Sequence, residues 1–252
     1  MQKNINAVIE WIKEQPVKGC ITGSSLLGEY WKGMDIDLFC YDEKSFTKML
    51  FAMHHNPMFH ILDPLEAWKF EQHISKESSY SKKGLVNTIK FIYNTVIPVN
   101  IIYKKQSSDI FSVLSNFDLD IISKAYDVET KQYLDLGNEE GRKNKIATWN
   151  KWNTSFYSGE VWQISRILRQ LERCFKYYKR GYNVDNVIIK YIELIDQLQE
   201  FTDIFNSVDY TAKLKATKAN TKIVRQICEV WLKTHEITDE QIELLKIKIK
   251  EI

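Results

Sequence analysis

The apolar residues of this chain change their spacing near residue 135, and that change constrains the fold more than any single motif. Before it, short apolar runs alternate with turns and helical segments; after it, every readable segment has the period of a helix. Ile5, Val8, Ile9 and Ile12 predict an amphipathic helix over 4–14, ended near Pro16. Residues 17–22 read as a short strand. Gly23-Ser24-Ser25 reads as a turn whose hydroxyls cap a short helix through Leu26, Leu27 and Tyr30, and 35–40 as a strand with alternating polar and apolar side chains. A helix follows over 44–55, then a charged and poorly patterned stretch over 63–83. Strands over 85–93 and 96–103 predict a hairpin about Asn94-Thr95. A helix is expected over 107–114, and 117–122 repeats the acid/apolar alternation of a strand. The remaining chain predicts helices over 160–179, 184–201, 221–234 and 239–252, separated by Gly181, a polar stretch over 207–220, and Ile237-Thr238. The implied fold class is α+β: a small mixed-sheet core over 1–135, then an α-helical domain over 136–252, the boundary falling within 136–159.

Composition agrees with that layout. Nine glycines and four prolines in 252 residues are less than half the usual share of chain breakers, as suits a helix-rich protein. No run approaches the roughly 18 apolar residues of a membrane span, and residues 1–15 carry charges where a secretory signal has its apolar core. No membrane partner and a cytoplasmic location are therefore expected. Cys20, Cys40, Cys174 and Cys228 form no CxxC pair and meet no histidine at metal-finger spacing, so they read as reduced core thiols.

The stretch that carries chemistry runs from Thr22 to Leu38. Asp35 and Asp37 stand at i and i+2 of a strand and project from one face, where their charges repel unless a cation lies between them. That arrangement suits Mg²⁺, or Mn²⁺ in its place, which completes its shell with water and substrate phosphates. Upstream, Gly23 lets backbone amides approach an anion, and Ser24 and Ser25 open a helix whose N-terminal dipole favours one. One element cradles phosphate and the next holds the metal that bridges to it.

An apolar strand, Gly23-Ser24, ten intervening residues and then Asp35-x-Asp37 between apolar residues resembles the signature of the nucleotidyltransferase superfamily. That superfamily includes DNA polymerase beta, poly(A) polymerases, CCA-adding enzymes and the cGAS-like cyclic-dinucleotide synthases. The likeness is close over 17–40 and elsewhere is one of layout, since a helical domain after the mixed core is common there. Residues 85–136, with Val99-Asn100-Ile101-Ile102 and Phe117-Asp118-Leu119-Asp120, also look like nucleotidyltransferase-like proteins of large viruses and phages. The resemblance implies transfer of a nucleotidyl group from a nucleoside triphosphate to a hydroxyl, an RNA 3′ end foremost, with release of pyrophosphate.

In that family a third carboxylate on a later strand completes a two-metal site. Here the matching place, on the strand 96–103, holds Asn100, which offers a carbonyl oxygen but neither charge nor a proton acceptor. Either Asp118, with Asp120 as second candidate, supplies the acid, or the metal is weakly held. A third alternative is an inactive relative acting as a nucleic-acid-binding or structural module.

Over 160–180, Val161, Ile164, Leu168, Leu171, Phe175 and Tyr178 make an apolar face while Arg166, Arg169, Arg173, Lys176 and Arg180 line another. That stripe, about 21 Å long at the helical rise, suits phosphates, and only Glu160 and Glu172 stand on the same helix to neutralise it. Trp149, Trp152, Tyr157 and Tyr182 are candidate stacking surfaces for bases or interdomain core. Lys82-Lys83-Gly84 reads as a basic loop or a plain turn. The net charge of +2 conceals a division: residues 1–135 carry 15 lysines, 17 acids and no arginine, while 136–252 carry 20 basic residues against 16 acids.

Overall fold

The structure, a computed structural model, describes residues 2–29, 31, 34–74, 88–153, 163–204, 211–236, 238, 240, 241, 243 and 247; within its helices the side chains of 74, 163–169, 198–204 and 211–221 are not described. The fold is α+β. It divides into two compact units, residues 1–117 with 122–137, and residues 118–121 with 138–252.

The first unit is built on a seven-stranded sheet in the order β3-β4-β5-β2-β1-β6-β7. Its strands are β1 (Gly19–Thr22), β2 (Ile36–Cys40), β3 (Phe59–Ile61), β4 (Thr88–Tyr93), β5 (Ile97–Tyr103), β6 (Lys124–Asp127) and β7 (Tyr133–Asp135). The central β2–β5 pair is parallel and the other pairs are antiparallel. Helices α1 (Gln2–Lys13), α2 (Glu43–His54) and α3 (Pro64–Ile74) cover one face. There Ile5, Val8 and Ile12 of α1 and Phe46 and Leu50 of α2 pack against Ile21, Leu38 and Val99 of the sheet. Because side chains alternate along a strand, Cys20, Phe39, Ile102 and Ala125 point the other way and meet Val113 and Leu114 of α4 (Ile110–Leu114).

Local chemistry sets the element ends. The Asp42 side chain accepts the Ser45 N–H at 2.6 Å to cap α2, and Asp109 and Ser112 cap α4 reciprocally. The β4–β5 hairpin turns through Asn94 and Thr95 at φ 48° and 59°, the left-handed pair whose twist matches that of the flanking strands.

The second unit holds α5 (Glu139–Lys143), α6 (Gln163–Tyr178), α7 (Asp185–Ile204) and α8 (Thr211–Thr234). Leu171, Phe175, Val187, Tyr191, Ile227 and Trp231 are buried among α6, α7 and α8. The rings of Phe175 and Tyr178 lie 4.8 and 4.6 Å from that of Trp231. The four cysteines are free and buried, and no helix among the described residues is long and apolar enough to cross a membrane.

Three of the expected segments are replaced by other structure. The capped helix expected from Gly23-Ser24-Ser25 is a 3₁₀ turn over Gly23–Leu26 with no side-chain cap. Residues 117–122 are not a strand: Leu119 makes an isolated bridge to Trp149, and Asp120–Ile122 is a 3₁₀ turn. The polar stretch 207–220 is helical from Thr211, where Ala and Lys supply helix propensity without an apolar stripe. Most of the helix expected over 239–252 lies outside the described residues.

Candidate functional site

Strand register places Thr22 of β1 opposite Asp37 of β2, and Asp37 opposite Asn100 of β5. Directly paired residues project to the same face. Three polar side chains therefore form a row across three adjacent strands, on the face that α1, α2 and α3 leave uncovered. Asp35, two residues before Asp37, joins it.

Asn100 ties this row together. Its Nδ2 donates to Asp35 Oδ2 at 3.0 Å and to Asp37 Oδ1 at 2.7 Å, and the residue is buried. A primary amide carries two protons on that nitrogen, one for each carboxylate. The amide thus stands where the two acids converge and offsets their mutual repulsion with its dipole.

Immediately after Thr22 the chain turns at Gly23, φ 84°, into a 3₁₀ turn over Gly23–Leu26. A side chain at Gly23 is opposed twice, by the left-handed backbone and by Asp37 Oδ2, which a Cβ would meet at 3.3 Å. Ser24 and Ser25 are buried. The Ser25 hydroxyl donates to the Thr22 carbonyl at 3.3 Å, and the Leu27 N–H donates to the Ser24 carbonyl at 3.2 Å. Thr22 Oγ1 is buried with no hydrogen-bond partner among the described residues, an oxygen still to be satisfied.

This donor set fits a hard divalent cation. Two carboxylates share a face, the Asn100 amide has a carbonyl oxygen at its other end, and the Thr22 hydroxyl lies in the same row. No group of three or more His, Cys, Asp or Glu among the described residues could hold a metal. The chain's share would be two carboxylates with neutral oxygens.

Asp118, expected as the third acid, is placed differently. It belongs to the helical unit and is fully buried; Oδ1 accepts from Arg173 Nη1 at 2.6 Å and Oδ2 from the Tyr191 hydroxyl at 3.4 Å. With both oxygens engaged, this carboxylate serves as a partner for Arg173 rather than as an acid open to a metal. The attraction is mutual: Asp118 holds the Arg173 guanidinium protonated well above its ordinary range. Asp120 accepts the Thr148 N–H at 2.7 Å and the Thr148 hydroxyl at 2.8 Å, and burial pushes its carboxyl above the ordinary value.

The basic stripe is described only at its C-terminal end. Arg173 belongs to the Asp118 pair, with 44% of its side chain exposed. The side chains of Arg166 and Arg169, and the whole of Tyr157 and Lys82-Lys83-Gly84, lie outside the described residues. The half-buried Trp149 stands edge-on to the buried Tyr191 at 5.7 Å, and the buried Tyr182 edge-on to Tyr177 at 5.8 Å. Trp152 is exposed, with Lys151 Nζ 5.3 Å from its ring centre.

Two residues near the row escape a reading by motif. Lys90 of β4 is the register partner of Asn100, and the buried Glu66 of α3 accepts the Lys90 N–H at 3.0 Å. A two-residue Asn94-Thr95 loop would set residue 90 opposite residue 99; the register instead pairs Tyr93 with Ile97 across the three residues 94–96, which brings Lys90 opposite Asn100. No sequence signal points to the second.

The sequence matches no protein-family profile and no curated protein. Among solved structures it is similar to a CCA-adding enzyme in complex with CTP, at TM-score 0.41 and 13% identity, over 99% of this chain and 68% of that one. It is similar also to the Thermotoga maritima CCA-adding enzyme complexed with tRNA, at TM-score 0.41 and 13% identity over 95% and 62%. An apo CCA-adding enzyme aligns at TM-score 0.40 and 14% identity over 97% and 66%. The chain thus spans 62–68% of the length of these proteins.

Proposed function

We propose that the chain is a divalent-metal-dependent nucleotidyltransferase that moves a nucleotidyl group from a nucleoside triphosphate to a hydroxyl acceptor, an RNA 3′ end foremost, releasing pyrophosphate. The observation that carries this reading is the convergence of Asp35 and Asp37 on one amide beside the Gly23 turn. Asp35 and Asp37 would hold Mg²⁺ or Mn²⁺, with Asn100 adding its carbonyl oxygen once the amide turns over. A bound ion supplies Lewis-acid polarisation of phosphoryl oxygens.

The chain's own contribution is position and charge. Gly23, Ser24 and Ser25 present backbone N–H groups to the phosphate chain. Strand β2 holds Asp37 in register with Asn100 of the adjacent β5, Asp35 just before it meets the same amide, and Gly23 keeps the space before Asp37 clear of a side chain. The acceptor hydroxyl gives up its proton to solvent water and its oxygen bonds to the α-phosphorus as the bond to the pyrophosphate oxygen breaks and pyrophosphate leaves. Arg166, Arg169 and Arg173 would bind phosphates of the nucleotide, with room along the stripe for those of a few RNA nucleotides.

Asn100 also favours a second reading. An amide that already satisfies both carboxylates suits a chain that has given up turnover and acts as a nucleic-acid-binding or structural module. Incubation with each labelled nucleoside triphosphate, Mg²⁺ or Mn²⁺ and a mixed RNA pool separates the two. Pyrophosphate release that is lost in Asp35→Asn and Asp37→Asn is expected. RNA binding without pyrophosphate under every combination selects the second reading, and an Asp35→Asn protein with intact turnover removes the metal assignment.

A further inference from the structure

The proposed site leaves one charged side chain of its own face unused. Lys90 lies opposite Asn100 in the antiparallel β4–β5 pair, yet its backbone makes no bond across that pair. Its N–H donates to Glu66 Oε2 at 3.0 Å and its carbonyl accepts from the Leu62 N–H at 3.1 Å, both on the far side of β4. Lys90 and Asn100 are therefore a non-hydrogen-bonded pair, the kind in which Cα atoms approach to about 4.5 Å and side chains lie closest. Lys90, Asn100, Asp37 and Thr22 run as one row over β4, β5, β2 and β1. Along it stand a cation, a neutral amide, an anion and a neutral hydroxyl, with Asp35 adding a second anion beside Asn100.

The lysine's two ends are treated oppositely. Its side chain is exposed and belongs to none of the ion pairs found among the described residues. Its backbone is fixed by a carboxylate that is 3% exposed. Asp63 caps α3 by accepting the Glu66 N–H at 3.0 Å. At that helical position a glutamate ordinarily reaches back to its own cap. Glu66 instead spans to β4, where β3 has ended at Ile61 and left the Lys90 N–H without a strand partner, and Lys69 Nζ holds its other oxygen at 2.7 Å. A fixed backbone under a free ammonium is the arrangement an anion-binding lysine needs.

We infer that Lys90 is a phosphate-binding residue of this site, its ammonium holding the anionic polyphosphate of the nucleotide beside the Asp35–Asp37 pair. Strands lie about 4.8 Å apart, so Asp37 is about 10 Å from the Lys90 backbone, and a four-carbon stem carries the charge into the gap between them. A polyphosphate that approaches two carboxylates is repelled. One fixed cation on the open side of Asn100 offsets that repulsion and sets the side from which the anion enters.

The inference rests on the nucleotide-binding reading above, and the test separates the two. Wild type, Lys90→Gln and Lys90→Arg are titrated with inorganic tripolyphosphate in Mg²⁺ by calorimetry, and with Mn²⁺ alone by electron paramagnetic resonance. Lys90→Gln is expected to bind tripolyphosphate about tenfold or more weakly, and Lys90→Arg to stay within about threefold of wild type, since the charge is kept. Mn²⁺ alone should bind Lys90→Gln at least as tightly as wild type, because a repelling charge has gone. Equal tripolyphosphate affinity in wild type and Lys90→Gln overturns the role of Lys90 and leaves the metal site standing. Parallel loss of Mn²⁺ and tripolyphosphate also overturns it, because the side chain would then be acting through the acid pair. Wild-type protein that binds neither probe overturns the nucleotide-binding reading itself.

Discussion

Asn100 Nδ2 stands 2.7 Å from Asp37 Oδ1, a neutral donor set against an acid on the sheet face opposite α1, α2 and α3. Asn100→Asp exchanges that donor for a third acceptor. In metal-free protein three carboxylates then crowd one face, and stability at neutral pH is expected to fall by about 1–3 kcal/mol, the cost of leaving buried polar groups unmatched. Saturating Mn²⁺ should restore it and bind more tightly than to wild type. Urea unfolding with and without Mn²⁺ reads both effects, and a metal-free variant as stable as wild type contradicts the role given to the amide.

Arg173→Ala leaves the fully buried Asp118 with Tyr191 as its remaining hydrogen-bond partner. Removing one member of a buried pair typically costs roughly 3–5 kcal/mol. The low end is expected here because the arginine is partly exposed. Adding Asp118→Asn should recover much of the loss, since the stranded charge is gone, and a double-mutant cycle in denaturant measures the coupling. Additive losses would show that the pair does not act as a unit.

Glu66→Leu removes the acceptor of the Lys90 N–H where no strand replaces it. A loss of about 1–3 kcal/mol is expected, with a smaller one for Glu66→Gln, whose amide oxygen can still accept. Hydrogen exchange localises the effect: the Lys90 amide should exchange faster in Glu66→Leu while the amides of β1 keep their protection. Unchanged exchange at Lys90 contradicts this account of its backbone.

These features were unequally legible in the sequence. The α1 stripe and the β4–β5 turn could be read because local chemistry decides them: Ile5, Val8, Ile9 and Ile12 are all buried, and Asn94 and Thr95 both take positive φ. The Asp35–Asp37 pair could be read from i, i+2 spacing, and although β2 begins only at Ile36, both acids reach the Asn100 amide. Alternation misled at 117–122, where Asp118 and Asp120 are acids buried one at a time, each with its own partner, Arg173 or Thr148. Periodicity carries no trace of such partners. Helix α3 stayed hidden because its apolar residues divide, Leu65 and Trp68 exposed and Phe70 buried, while its acid Glu66 is buried. Lys90 is visible only once two strands are laid in register, a relation between segments that no single segment contains.

Asp120 provides the pH test. Burial raises its carboxyl in the folded state above the ordinary 3.8, against the opposing hydrogen bonds from Thr148. Between the unfolded and folded values the folded state binds more protons than the unfolded, so stability falls as pH rises through that window and is level above it. Asp120→Asn removes the titration while keeping the bonds, because its carbonyl can accept the Thr148 N–H and its amide can donate to the Thr148 hydroxyl. The stability of Asp120→Asn relative to wild type should therefore increase as pH rises above the ordinary 3.8 and become level once the folded-state carboxyl is ionised, as read by urea midpoints across the range. A difference that shrinks with rising pH would mean that the hydrogen bonds to the ionised form outweigh burial at this residue.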